Sequence, residues 1–136
     1  MASARRRVPL VAALAGLALL AGCARAVTTA PPAPPLAGGE EVGVASWYGA
    51  AHQGRRTASG EVFDMHQLTA AHRTLPFGTR VLVTNRDTSQ SAEVRINDRG
   101  PFVKGRILDV SYAAARLLGA VGPGTIPVRV RVLSVP

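Results

Sequence analysis

Four stretches of this chain alternate apolar with polar residues or run as β-branched residues: Val42–Trp47, Arg80–Asn85, Ala92–Asn97 and Ile126–Leu133. A period of two places every second side chain on the same face of a pleated strand, so this part of the chain is confined to a sheet with one apolar face. Arg86-Asp87-Thr88-Ser89-Gln90-Ser91, polar and turn-forming, separates the second and third stretches and predicts a hairpin between them. Shorter strands are expected at Leu68–Ala71 and Ile107–Val110. One short helix is expected over Tyr112–Leu118, capped by Ser111 and ended by Gly119. So small a sheet carries exposed edges unless it closes on itself, and a mainly β, closed barrel with one short helix is the expected fold.

What precedes the barrel is of a different kind. Arg5, Arg6 and Arg7 are followed by an apolar run from Val8 to Leu20, the pattern of an export signal. The run is shorter than the roughly 20 residues that span a bilayer, so no permanent transmembrane helix is expected. It ends in Leu20-Ala21-Gly22-Cys23, which resembles the bacterial lipobox, where the cysteine is lipidated and becomes the new N-terminus. Cys23 is the chain's single cysteine, which excludes an internal disulfide and a cysteine metal cluster. In some bacteria an aspartate after that cysteine retains a lipoprotein in the inner membrane. Here the position is Ala24, which points to the periplasmic face of the outer membrane. From Arg25 to Glu41 no hydrophobic period is visible and prolines cluster, so this segment reads as a tether. Proline-rich chain extends by about 3.1 Å per residue, giving a reach of at most roughly 50 Å. The expected organisation is a signal peptide over residues 1–22, a lipidated cysteine and Pro-rich tether over 23–41, and the barrel over 42–135.

The 136 residues carry 16 Lys+Arg against 8 Asp+Glu, and the basic excess survives removal of the three leader arginines. An exported compartment and arginines scattered along the chain argue against nucleic acid. An anionic wall polymer or a membrane surface suits the charge.

Three places concentrate polar residues beyond what turns require. Ser46-Trp47-Tyr48-Gly49 holds the single tryptophan beside a tyrosine; flat aromatic faces suit sugar rings, and they equally suit a core. The segments 54–65 and 69–78 hold Glu61, Asp64 and His72 on loops or short strands, where charge is ordinarily solvated. His52, His66 and His72 lack the spacing of metal ligands, so no metal and no cofactor is expected. In Arg95-Ile96-Asn97-Asp98-Arg99-Gly100-Pro101-Phe102 a strand delivers Asp98 to its end, where the chain turns. Such an aspartate either caps the turn or projects into a groove as a proton donor; desolvation would raise its pKa, and Arg95 and Arg99 would oppose the rise.

Taken together, Val44–Gly49, Arg56–Glu61, Thr69–Pro76, Val94–Phe102 and Arg106–Ala115 closely resemble the rare lipoprotein A (RlpA) family, in one order across the whole domain. The resemblance implies a six-stranded double-psi β-barrel related to expansins and some endoglucanases. It implies a lytic transglycosylase that cuts peptidoglycan between N-acetylmuramic acid and N-acetylglucosamine, preferring strands stripped of peptide. Carried over position by position, it implies Glu61, His72 and Asp98 as catalytic residues: Asp98 as acid and then base, Glu61 positioning sugar or stabilising charge, His72 orienting a partner. Trp47, Tyr48, Asp64 and Arg99 are expected to contact the glycan, whereas Asp109 is expected to serve the barrel or the start of the helix. The muramic acid's own C6 hydroxyl is the nucleophile in such a reaction, so no second carboxylate is required to activate water. Many members of the family continue into a peptidoglycan-binding SPOR module. Here the chain stops at Pro136, so wall affinity is expected from the barrel or the lipid anchor. A non-catalytic wall-binding lipoprotein is the alternative, and a hydrolase that adds water is a third reading. The joint presence of Glu61, His72 and Asp98 favours the enzyme.

Overall fold

The computed structural model describes residues 37–136. The expected signal peptide, the lipidated Cys23 and most of the tether lie outside the described residues. The elements are β1 (Glu40–Tyr48), a 3-10 turn (Ala50–His52), β2 (Thr69–Ala71), β3 (Arg80–Asn85), β4 (Ser91–Asp98), β5 (Arg106–Ser111), α1 (Tyr112–Leu118) and β6 (Thr125–Ser134).

The six strands close into a barrel in the order β1-β5-β2-β4-β3-β6, with β6 returning to β1. Two neighbouring pairs, β1 with β5 and β2 with β4, are parallel; the others are antiparallel. The expected hairpin is the β3–β4 pair, with Val83 opposite Ala92. Every second residue of β3, of β4 and of β6 as far as Val132 is buried, as the alternation requires. Val81, Val83, Val94, Ile96, Leu108, Val110, Val128 and Val130 meet in the barrel interior, and Ala114, Ala115 and Leu118 of α1 join the same core. Burying each of the larger aliphatic side chains contributes about 1.5–3 kcal/mol.

The first strand starts earlier than expected. Glu40 and Glu41, assigned from sequence to the tether, pair with Arg131 and Val130 of β6 and belong to the barrel. Both stay exposed, so no apolar alternation marks them. Backbone pairing holds them in place.

The helix has the expected limits. Ser111 Oγ accepts from the Ala114 N–H at 3.3 Å and donates to the Gln67 carbonyl at 2.6 Å, which ties the start of α1 to the loop before β2. Gly119 ends it at φ +69, where a side chain is strained. Asn85, buried at the end of β3, donates from Nδ2 to the Leu118 carbonyl at 2.9 Å and so ties the hairpin to the helix terminus.

Candidate functional site

Register builds the floor of the site. Across four neighbouring strands, Asp98 of β4 stands opposite Ala71 of β2, Ala71 opposite Asp109 of β5, and Asp109 opposite Ser46 of β1. Irregularities at Val44/Ala45 and Ala70/Ala71 shift the pairing just before this row. Two clefts open here and share Tyr48, His52 and Asp98 in their walls. One is completed by Trp47, Ala71, Arg99, Arg106 and Asp109, the other by Arg55, Arg56, Thr57 and Phe63.

Asp98 is anchored through a single oxygen. Its Oδ1 accepts the backbone N–H of Ala58 at 2.9 Å and of Arg99 at 2.8 Å, and no group among the described residues donates to Oδ2. The two arginines that flank it in sequence are engaged elsewhere. Arg99 donates to the Leu75 and His72 carbonyls at 2.9 and 3.3 Å, and its guanidinium lies 3.9 Å above the Phe77 ring. Arg95 grips Glu61 with both terminal nitrogens, at 2.6 and 2.8 Å.

Trp47 is both core and wall. It packs against the barrel core and against Tyr112, with ring centroids 5.6 Å apart, and it lines the cleft beside Asp98. Tyr48 is wedged between Phe63 at 4.6 Å and His52 at 5.3 Å between ring centroids. Its hydroxyl is buried and has no hydrogen-bond partner. Burial first, then the charges of Asp98 and Asp109, push its pKa above that of an ordinary phenol, so the hydroxyl keeps its proton.

The other expected residues are placed differently. Glu61 lines neither cleft; the fork from Arg95 holds its carboxyl below the usual range against the opposing effect of desolvation. Its loop nonetheless covers Asp98, because Ala58 and Ser59 donate to Asp98 and to the Asn97 carbonyl. Asp64 accepts from the His66 N–H at 3.0 Å and closes a local turn away from both clefts. The backbone N–H of His72 donates to the Asp98 carbonyl at 3.1 Å, while its buried ring turns into a separate pocket with Glu41, Leu75, Val130 and Val132. There Nδ1 accepts from the Thr74 and Leu75 N–H groups, both at 3.1 Å, so the proton sits on Nε2, which donates to Glu41 at 3.0 Å. Neither ring nitrogen then has a lone pair free for a metal ion.

Beside Asp98, the structure places three polar residues that the sequence reading gave no part in the site: His52, Arg106 and Asp109. Asp109 was expected to serve the barrel or the helix; its side chain opens into the cleft with Asp98. The one signal for it is a carboxylate inside the apolar run Ile107-Leu108-Asp109-Val110.

A family model described as lytic transglycolase matches residues 40–130, essentially the whole barrel. Solved structures show the same architecture: a papain inhibitor of Streptomyces superposes with a TM-score of 0.60 at 20% identity, covering 72% of this chain and 97% of that one. A mutant expansin of Clavibacter michiganensis in complex with cellohexaose gives 0.57 at 19% identity, covering 72% and 52%. Fold and family model together define a double-psi β-barrel of the lytic transglycolase class. Among curated relatives, a Vibrio cholerae protein called endolytic peptidoglycan transglycosylase RlpA is 54% identical over 95 residues, 70% of this chain and 36% of its own. A Synechocystis protein, called a probable enzyme of that name, is 65% identical over 77 residues, 57% of this chain and 24% of its own. The chain belongs to the RlpA family, and it spans about a quarter to a third of the length of these relatives.

Proposed function

We propose that this domain is a peptidoglycan lytic transglycosylase. The observation that carries the reading is Asp98: a carboxylate fixed through Oδ1 by two backbone N–H groups, with Oδ2 left for a ligand, in a cleft walled by Trp47 and Tyr48. The names of the relatives support the substrate. Asp98, in its protonated form, gives its proton to the glycosidic oxygen between N-acetylmuramic acid and N-acetylglucosamine, and the bond from that oxygen to the muramic C1 breaks. The C6 hydroxyl of the same muramic residue closes on C1 and returns its proton to Asp98. The products are a 1,6-anhydromuramic end and a free 4-hydroxyl on the next sugar, and no water is consumed.

The same proposal places the domain in the envelope of a bacterium, held to the periplasmic face of the outer membrane by a lipid on Cys23. Leu20-Ala21-Gly22-Cys23 and Ala24 support that placement. Its partners are the glycan strand and, through the lipid, the membrane. The contacts of Glu61 and His72 favour supporting roles for these two: Glu61 holds the loop over Asp98, and His72 holds the turn after β2.

The test is mass spectrometry of soluble products from the barrel domain, without its lipid, incubated with peptide-free and with intact peptidoglycan. Anhydro-saccharides that disappear in Asp98→Asn establish the reaction and its acid. A folded domain that sediments with the wall and releases nothing is a binding module instead. Products with reducing ends show a hydrolase.

A further inference from the structure

The cleft contains a second carboxylate, and its setting mirrors that of the first. Asp109 Oδ1 accepts from Ser46 Oγ at 2.5 Å and from Arg106 at 2.6 Å, so both bonds again fall on one oxygen. No group among the described residues donates to Oδ2 of Asp109. Anchoring a carboxylate through one oxygen fixes its orientation and keeps the other for a ligand. Asp98 and Asp109 stand on strands separated only by β2, so their Cα atoms lie roughly 10 Å apart across two strand spacings. The residue between them is Ala71, whose methyl group leaves the space above it open.

Tyr48 completes the arrangement. Its hydroxyl feels both aspartates and is buried without a partner, which is costly for a protein group unless a ligand supplies one. Tyr48 lines the same cleft as the two half-anchored carboxylates, so a polyhydroxylated guest seated there can supply the missing acceptor.

We propose that Asp109 is a second catalytic carboxylate and that the Tyr48 hydroxyl donates to the sugar held between it and Asp98. The proposal rests on the transglycosylase reading above and adds to it a division of labour. Asp98 moves the proton. Asp109, ion-paired with Arg106, presents its second oxygen to the positive charge that develops on the muramic C1 as the leaving oxygen departs. Asp109 does not activate water, so the intramolecular attack of the C6 hydroxyl is unchanged. Ser46 and Arg106 are positioning residues that act through Asp109.

The experiment follows the release of anhydro-saccharides from peptide-free glycan strands by wild type, Asp98→Asn, Asp109→Asn and Tyr48→Phe, with the melting temperature of each. Asn at 109 still offers Oδ1 to Ser46 and Arg106, so the fold is retained. The expected result is a loss of about a hundredfold or more in kcat for Asp109→Asn with little change in KM. Tyr48→Phe is expected to lose about tenfold in activity while melting no lower than wild type, because the orphaned hydroxyl is gone. Where Asp109→Asn melts early, Arg106→Gln serves as the second variant: it keeps the carboxylate and removes its main anchor, and a kcat reduced at temperatures where the variant is folded supports the role. Wild-type kcat in a folded Asp109→Asn, or a Tyr48→Phe that is fully active, overturns the corresponding half of the proposal. Absence of anhydro product from wild type, with glycan still bound, overturns the transglycosylase reading and the catalytic role of Asp109 with it.

Discussion

His72 and Asp98 are joined through their backbones and separated through their side chains: the His72 N–H donates to the Asp98 carbonyl at 3.1 Å, while the imidazole points away to Glu41. Their placement implies unequal consequences for substitution. His72→Ala removes the acceptor of the Thr74 N–H and orphans the buried Leu75 N–H, and is expected to lose about 1–3 kcal/mol in urea unfolding. Asp98→Asn is expected to melt within about 0.5 kcal/mol of wild type, since an amide oxygen still accepts from Ala58 and Arg99. At a temperature where both are folded, Asp98→Asn loses activity by about a hundredfold or more and His72→Ala by far less. Equal losses in kcat would return the His72 ring to the chemistry.

Glu61 and Arg95 form a two-pronged ion pair beside the site, with two parallel hydrogen bonds. The pair lowers the Glu61 pKa in the folded protein, so its stabilisation is fully present above the ordinary carboxylate value of 4.5 and is lost as pH falls through the lowered folded value. Wild type is therefore expected to be more stable than Glu61→Gln at neutral pH, with the difference shrinking below about pH 4.5. Melting curves of the two proteins from pH 7 to pH 3 check this. A difference independent of pH would show that hydrogen bonding, not charge, holds the loop that contributes Ala58 to Asp98.

Local patterns carry much of this fold. β3 and α1 have the limits expected from alternation and from the Ser111 and Gly119 caps, because those signals act within a few residues. The order β1-β5-β2-β4-β3-β6 is a matter of which strands meet across the chain, and period alone does not specify it. The start of β1 was hidden for the same reason, since Glu40 and Glu41 are held by partners in β6. At the site, the position of Asp98, a carboxylate at a strand end before a Gly-Pro turn, was legible, and its place in the cleft follows from it. Asp109 was not, because the pairing shifts at Val44/Ala45 and Ala70/Ala71 help set which residues share its row, and residue type does not reveal such shifts. Glu61 and His72 were recognisable by motif. Their commitments to Arg95 and Glu41 are long-range contacts that only the fold brings about.

Tyr48 gives the site an alkaline signature. Burial and two carboxylates raise its pKa, so in the folded state it holds its proton where the unfolded chain has begun to lose it. A group with a raised folded pKa contributes stability that is present below its unfolded value, 10.0, and is lost as pH climbs above it. Wild type is expected to lose stability more steeply above pH 10 than Tyr48→Phe. Chemical unfolding at pH 9, 10 and 11 measures the two slopes, and parallel slopes would place the phenol in contact with solvent.

Arg73 fixes the loop that follows Asp98. Its Nε donates to the Pro101 carbonyl at 2.7 Å, and one terminal nitrogen donates to Val103 at 3.1 Å and to the Arg106 carbonyl. The segment so held leads from the end of β4 to Arg106, which pairs with Asp109, and it displays Phe102 and Val103 to solvent instead of burying them. With Phe102 and Val103 outside and Pro101 buried, the middle of this loop gains little from the core, and the guanidinium fork ties it down at three carbonyls. Lysine carries the same charge but has neither the planar fork nor enough fixed donors to span three carbonyls. Arg73→Lys is therefore expected to cost about 1–3 kcal/mol in unfolding free energy and to speed amide exchange between residues 101 and 106 ahead of the barrel strands. If the loop also sets the position of Arg106, activity on peptide-free glycan falls with it, in kcat more than in KM. Hydrogen exchange unchanged in that segment would assign the order of the loop to its own backbone and release Arg73 from the site.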